Sequence, residues 1–95
     1  MYKLTVTELA DADLDEIVRY IAVELTAPAA ATAFLDKIEE MYDMIRANPR
    51  ICELSLDSRL RAEGFRRAVV KNYIMLYKVF DERGEVVVCC ILTRK

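Results

Sequence analysis

Apolar positions along this 95-residue chain change their period several times, and each change marks an element. YKLTV at 2–6 alternates and is rich in β-formers, which predicts a first strand. Thr7 suits the cap of a following helix, with Glu8 and Asp11 near its positive end. Leu14, Ile17, Val18, Ile21 and Leu25 then recur at helical spacing, so the first helix is expected from about 8 to about 25. Pro28 fits the first turn of a second helix, where its missing N–H costs nothing. Ala31, Phe34, Leu35, Ile38, Met41, Tyr42 and Ile45 form the next stripe, and Asn48-Pro49 stops it. Residues 50–63 show no period and read as an irregular loop tacked to the core by Leu54, Leu56 and Leu60. Gly64 releases the chain into GFRRAVVKNYIMLYKVF, which reads as strands at about 65–70 and 73–80 around a Lys71-Asn72 turn, with Asn supplying the left-handed conformation. DERGE at 81–85 is a second turn. VVVCCIL at 86–92 is a continuous apolar run, expected to be a central strand buried on both faces.

The order is β-α-α-β-β-β, an α+β fold. The short link between the helices makes them an antiparallel hairpin, and they bury their stripes by packing on one face of a small, mainly antiparallel sheet. The other face is then partly covered, and a site is expected there. With the turn at Lys71-Asn72, Val70 faces Tyr73, Ala68 faces Met75 and Arg66 faces Tyr77 on one side. Phe65, Arg67, Val69, Ile74, Leu76 and Lys78 share the other. The second set is more aliphatic and is expected to face the helices. That leaves Arg66 beside Tyr73 and Tyr77, a planar fork with two stacking rings, suited to single-stranded RNA or an acidic peptide. The alternative is that the arginines are edge charges against aggregation and the tyrosines half-buried core. A shift of one residue in register would exchange the faces.

Composition narrows the chemistry. The length suits one domain, 1–95, and 55% of the residues are hydrophobic, which argues against disorder. No apolar run reaches the roughly 18–20 residues of a membrane span. MYKLTVTEL lacks a basic segment before an apolar one, so no signal peptide is expected. The three cysteines, Cys52, Cys89 and Cys90, fit free thiols in a reducing cytoplasm better than a disulfide framework. There is no histidine, so any acid or base must be Glu, Asp, Lys, Tyr or Cys. A metal site and a cofactor are not expected.

Net charge is −2 but unevenly spread. Residues 1–48 hold four basic and ten acidic side chains, a net of −6, and residues 49–95 hold ten and six, a net of +4. Between 59 and 78 six basic side chains, Arg59, Arg61, Arg66, Arg67, Lys71 and Lys78, accompany one acidic, Glu63. An acidic half and a basic half suggest different partners. Asp11, Asp13, Asp15 and Glu16 could hold a divalent cation or do acid–base work. Their place in the first helical turns favours a dipole role instead.

One spaced pattern adds to this: Leu60, Gly64-Phe65-Arg66-Arg67, Val70-Lys71-Asn72-Tyr73-Ile74, Tyr77-Lys78-Val79, then Val86, Ile91-Leu92 and Arg94. With ADADLDEIVRYIA at 10–22 and AAATAFLDKIEE at 29–40, it resembles the RelE/ParE toxins of bacterial type II toxin–antitoxin (plasmid stabilization) systems over nearly the whole chain. The resemblance implies a small cytoplasmic growth inhibitor neutralised by a co-encoded antitoxin that folds on binding. ParE-like members poison DNA gyrase, and RelE-like members cleave mRNA on the ribosome. For the nuclease branch the candidates are Arg66, Arg67, Arg94 and Lys95 as cations and Tyr73, Tyr77 or Glu63 as partners. Some such nucleases use a histidine or tyrosine after the last strand, which Arg94 and Lys95 do not supply. Many ParE-like members carry L-x-G-R-R-D there, abbreviated here to Leu92-Thr93-Arg94-Lys95. For target or nucleic-acid binding the candidates are Arg59, Arg61, Arg66, Tyr73, Tyr77, Arg94 and Lys95. The readings are therefore a ParE-like gyrase inhibitor first, a RelE-like endoribonuclease second, and an inactive antitoxin-binding module third.

Overall fold

Thr7 closes the first strand and opens the first helix. In the computed structural model, which describes residues 1–94, β1 (Lys3–Val6) ends just before this residue. Its hydroxyl accepts the Ala10 N–H at 3.1 Å and donates to the Cys89 carbonyl at 2.9 Å. α1 (Glu8–Arg19) therefore begins pinned to the last strand. The expected helix to residue 25 changes character at Tyr20. Tyr20–Glu24 is a π-helical turn closed by Leu25 N–H to the Tyr20 carbonyl at 3.0 Å. The wider turn rotates Val23 and Leu25 into solvent, so Leu25 leaves the apolar stripe.

α2 (Pro28–Ala47) starts at its proline and buries Ala31, Phe34, Ile38 and Ile45. The loop after it is more ordered than its sequence suggested. Asp57 caps a short helix, α3 (Ser58–Ala62), accepting the N–H groups of Arg59 and Leu60 at 2.9 and 3.1 Å. Residues 53–55 run beside the next strand, with Ser55 N–H to the Phe65 carbonyl at 2.8 Å and Arg67 N–H to the Glu53 carbonyl at 2.9 Å. Leu56 does not tack the loop down, because it remains 73% exposed.

β2 (Phe65–Val70), β3 (Tyr73–Phe80) and β4 (Glu85–Thr93) complete a four-stranded sheet of order β1-β4-β3-β2. β1 runs parallel to β4, and the other pairs are antiparallel. β4 is central, as expected. It is buried on one face only: Val86, Val88 and Ile91 are enclosed, while Val87, Cys89 and Cys90 are half-buried and Leu92 is exposed. The β2–β3 register is the one read from the turn, with Val70 opposite Tyr73, Ala68 opposite Met75 and Arg66 opposite Tyr77. The left-handed residue of that turn is Lys71 (φ 56°) rather than Asn72.

The two faces of the hairpin are the reverse of the expectation. Ala68, Val70, Met75 and Tyr77 are buried in one cluster with Phe34, Ile38 and Ile45 of α2. On the other face Phe65, Arg67, Ile74 and Lys78 are half-buried and Val69 is exposed, while Leu76 is buried there. Both sets are apolar enough to pack. The small Ala68 lets the helix approach closely, and the tyrosine hydroxyl finds a carbonyl at the core's border.

Candidate functional site

The face that carries Arg66, Tyr73 and Tyr77 is thus the packed one. The Arg66 guanidinium reaches the Cys52 carbonyl at 2.6 Å, and the fully buried Tyr77 donates its hydroxyl to the Pro49 carbonyl at 2.7 Å. Together they hold the 49–54 loop against the sheet. Burial first, and the adjoining Cys52 second, push the Tyr77 phenol above its ordinary range. A buried phenol held neutral and donating to a carbonyl cannot take a proton from a ribose hydroxyl. Tyr73 is half-buried, its ring edge-on to Phe34 with centroids 5.2 Å apart. Arg66 and Tyr77 thus clasp the loop to the sheet with polar atoms expected to grip an anion, while the Tyr73 hydroxyl takes no part in the clasp.

The outward face has the opposite character. The Lys78 ammonium lies 5.4 Å from the Phe65 ring and 5.5 Å from the Phe80 ring, and the Arg83 guanidinium 4.2 Å from Phe80. These cations sit on aromatic faces and keep their charge toward solvent. Val69 and Leu92, 37% and 47% exposed, extend the apolar ground. Arg59 and Arg61 stand exposed on α3, and Arg61 shares with Arg66, Glu53, Leu54 and Leu56 a cleft of about 420 Å³. Arg94 is exposed after β4, and Glu63 is exposed at the end of α3. Lys95 lies outside the described residues. Among the described residues Arg59, Arg61, Arg67, Lys78 and Arg94 form no salt bridge; the ion pairs join Lys37–Glu40, Arg46–Asp43, Arg50–Asp81 and Arg83–Glu85. Sequence reading missed Lys78 and Phe80 as members of this surface. The signal was available in the pairing of Lys78 with Phe65, but it was assigned to the helix side.

The acidic residues of α1 do not converge. Asp13 turns toward β4, where its carboxylate accepts the Ile91 N–H at 3.0 Å; Asp11, Asp15 and Glu16 are exposed. Asp13 thereby replaces a ladder partner that β1 is too short to provide, a role no helical periodicity reveals. Among the described residues no three His, Cys, Asp or Glu side chains form a group that could hold a metal. Cys52, Cys89 and Cys90 are free, and burial raises the Cys89 and Cys90 thiols above their ordinary range.

Comparisons with known proteins agree with this architecture. A family model described as "ParE toxin of type II toxin-antitoxin system, parDE" matches residues 4–95. A chain of the chromosomal ParDE system from P. aeruginosa superposes with a TM-score of 0.78 at 23% identity, covering 100% of this chain and 98% of that one. A chain of the RelBE2 toxin-antitoxin complex from Mycobacterium tuberculosis gives 0.67 at 22% identity over 98% of each chain. One from the intact E. coli RelBE complex gives 0.62 at 16% identity, covering 100% and 99%. At these identities the structural likeness is one of fold. No curated protein matches the sequence.

Proposed function

The chain belongs to the ParE toxin family of type II toxin–antitoxin systems, and we propose that it arrests growth by acting on DNA gyrase and is neutralised by a co-encoded antitoxin. The observation that favours gyrase over messenger RNA is the employment of Arg66 and Tyr77. Cutting RNA without a metal requires a group to activate the 2′-hydroxyl and cations for the charged phosphorane. Arg66 and Tyr77 were the pair best suited to that work, and both are bonded to loop carbonyls. The sequence holds no histidine to replace them.

Inhibition by binding asks for something else, an exposed anchor rimmed by charge. The outward face fits: Phe65, Val69 and Leu92 supply the apolar ground and Arg67, Lys78 and Arg94 supply cations that can meet acidic groups, with Arg59 and Arg61 exposed on the neighbouring α3. A flexible, acidic antitoxin segment would fold as it covers the same face, excluding the target. None of the described helices is long and apolar enough to cross a membrane, and the proposed site of action is the cytoplasm, where gyrase works.

The test is a supercoiling assay with purified protein beside a translation mixture carrying a reporter transcript. Gyrase inhibition or trapped gyrase–DNA cleavage complexes, with the transcript whole, is the expected result. Charge reversal at Arg61 and Arg67 together should weaken inhibition about tenfold, since rim charges act mainly on encounter. Intact supercoiling with a cleaved transcript would replace this reading by the nuclease one. Normal growth on expression without antitoxin, with folded protein recovered, would leave only an antitoxin-binding module.

A further inference from the structure

The outer edge of β4 is covered by β1 only as far as Val88, opposite Val6. Beyond it α1 takes over. Thr7 donates its N–H to the Val88 carbonyl at 3.1 Å and its hydroxyl to the Cys89 carbonyl, and Asp13 accepts the Ile91 N–H. Because the Ile91 N–H points away from β3, antiparallel alternation turns the Ile91 carbonyl and both backbone groups of Thr93 the same way. No partner for these three groups is found among the described residues. An Ile91 carbonyl followed by a Thr93 N–H is the pair that one residue of an added parallel strand can bridge.

This short free edge opens into a cleft of about 420 Å³ lined by Asp13, Glu16, Ile17, Tyr20, Tyr73 and Thr93. Among the described residues the charges in the lining are two carboxylates, and two phenol rings accompany them. Tyr20 is the first residue of the π-helical turn, a kind of irregularity that recurs at functional positions, and it stays 49% exposed.

We propose that this cleft docks an extended, arginine-bearing segment of a protein partner. The segment's backbone adds to the free edge of β4, and its guanidinium meets Glu16 and the second oxygen of Asp13 beside Tyr20 and Tyr73. Strand addition supplies affinity, while the carboxylates and rings supply selectivity for a planar cation. A nucleic acid or an anionic membrane would meet like charge here, so the occupant is a protein.

The probe is the tripeptide acetyl-Val-Arg-Val-amide, set against its citrulline counterpart, which keeps the shape and loses the charge. Titrated into the full isotope-labelled chain, the arginine peptide should give saturable shifts at the Thr93 amide and the Tyr20 and Tyr73 rings. The citrulline peptide should bind at least about fivefold more weakly. Glu16→Gln, an exposed change that leaves packing untouched, should weaken the arginine peptide by a similar factor and leave the citrulline peptide unaffected. Equal binding of the two peptides, shifts confined to the outward sheet face, or no shifts up to about 10 mM would each overturn the proposal. The assay contains neither gyrase nor ribosome, so its outcome is independent of the toxin's target.

Discussion

Arg66 and Arg67 are adjacent in the chain and lie on opposite faces of one strand. Arg66 points toward the helices and ends on the Cys52 carbonyl. Arg67 points outward, beside Val69, and makes no salt bridge among the described residues. The same division runs through the whole hairpin. The inner face spends its polar atoms on its own backbone: Tyr77 on Pro49, Arg66 on Cys52. The outer face leaves the Lys78 ammonium resting on the Phe65 and Phe80 rings. A strand's two-residue period therefore lets one short sequence hold the fold with alternate residues and face a partner with the rest.

The largest effect that tests this division belongs to Tyr77. Tyr77→Ala removes a fully buried ring and should cost about 3–5 kcal/mol in urea unfolding, the range for large aromatic truncations. Val69→Ala, on the outer face of the same hairpin, should stay within about 1 kcal/mol. Tyr77→Phe separates ring from hydroxyl. It strands the Pro49 carbonyl and should cost about 1–3 kcal/mol. Equal losses for Tyr77→Ala and Val69→Ala would mean that the outer face is also packed.

Next in size come the arginines themselves. Arg66→Ala should destabilise by about 1.5–3 kcal/mol, since a charged donor leaves the Cys52 carbonyl and an alkyl stem leaves the packing. Arg67→Ala should change stability by no more than about 0.5 kcal/mol and instead weaken gyrase inhibition or antitoxin affinity. Thermal unfolding and the supercoiling assay, run on both variants, separate the two roles. The opposite pattern would invert the assignment of faces.

How much of this was readable in advance follows a physical line. Order, strand positions and hairpin register came from local signals: the Thr7 cap, Pro28, Asn48-Pro49, Gly64 and the polar Lys71-Asn72 turn. Which face packs was not local. The sets led by Phe65 and by Ala68 are both apolar enough, and the choice was made by α2, whose Phe34, Ile38 and Ile45 fit over Ala68 and Met75. For the same reason Arg66 and Tyr77 were read as a gripping pair: adjacency was correct, but the carbonyls awaiting them lie in a loop with no sequence signature. Asp13 likewise looked like a helix-dipole residue, because its true partner, Ile91, is distant in sequence. Asp57 before Ser58 was a legible cap, and α3 went unread only because five residues carry no period.

The smallest effect sharpens the contrast between paired and unpaired charge. The exposed carboxylate of Asp81 takes two bonds from Arg50, at 2.5 and 3.2 Å, and one from the Tyr2 hydroxyl at 2.8 Å. These join the start of β1, the loop after α2 and the β3–β4 turn. The Arg50 hydrogen bonds first, then the Tyr2 hydroxyl, lower the Asp81 carboxyl below its ordinary range, and the Thr5 hydroxyl, followed by Arg83, does the same for Glu85. A carboxyl lowered in the folded state binds its proton more readily when unfolded. Its contribution is therefore complete above the unfolded carboxylate range and is lost as pH falls through the folded value. Unfolding midpoints should be flat from neutral pH down to about pH 5 and decline below it. Asp81→Asn should lower the neutral midpoint slightly and make the acid decline shallower, so that variant and parent converge at low pH. Both differences should shrink in high salt, as they must for a solvent-exposed pair. Arg67→Ala, with no carboxylate partner to release, should leave the acid decline unchanged. A parallel decline in Asp81→Asn would show that this cluster binds no differently in the folded and unfolded chain.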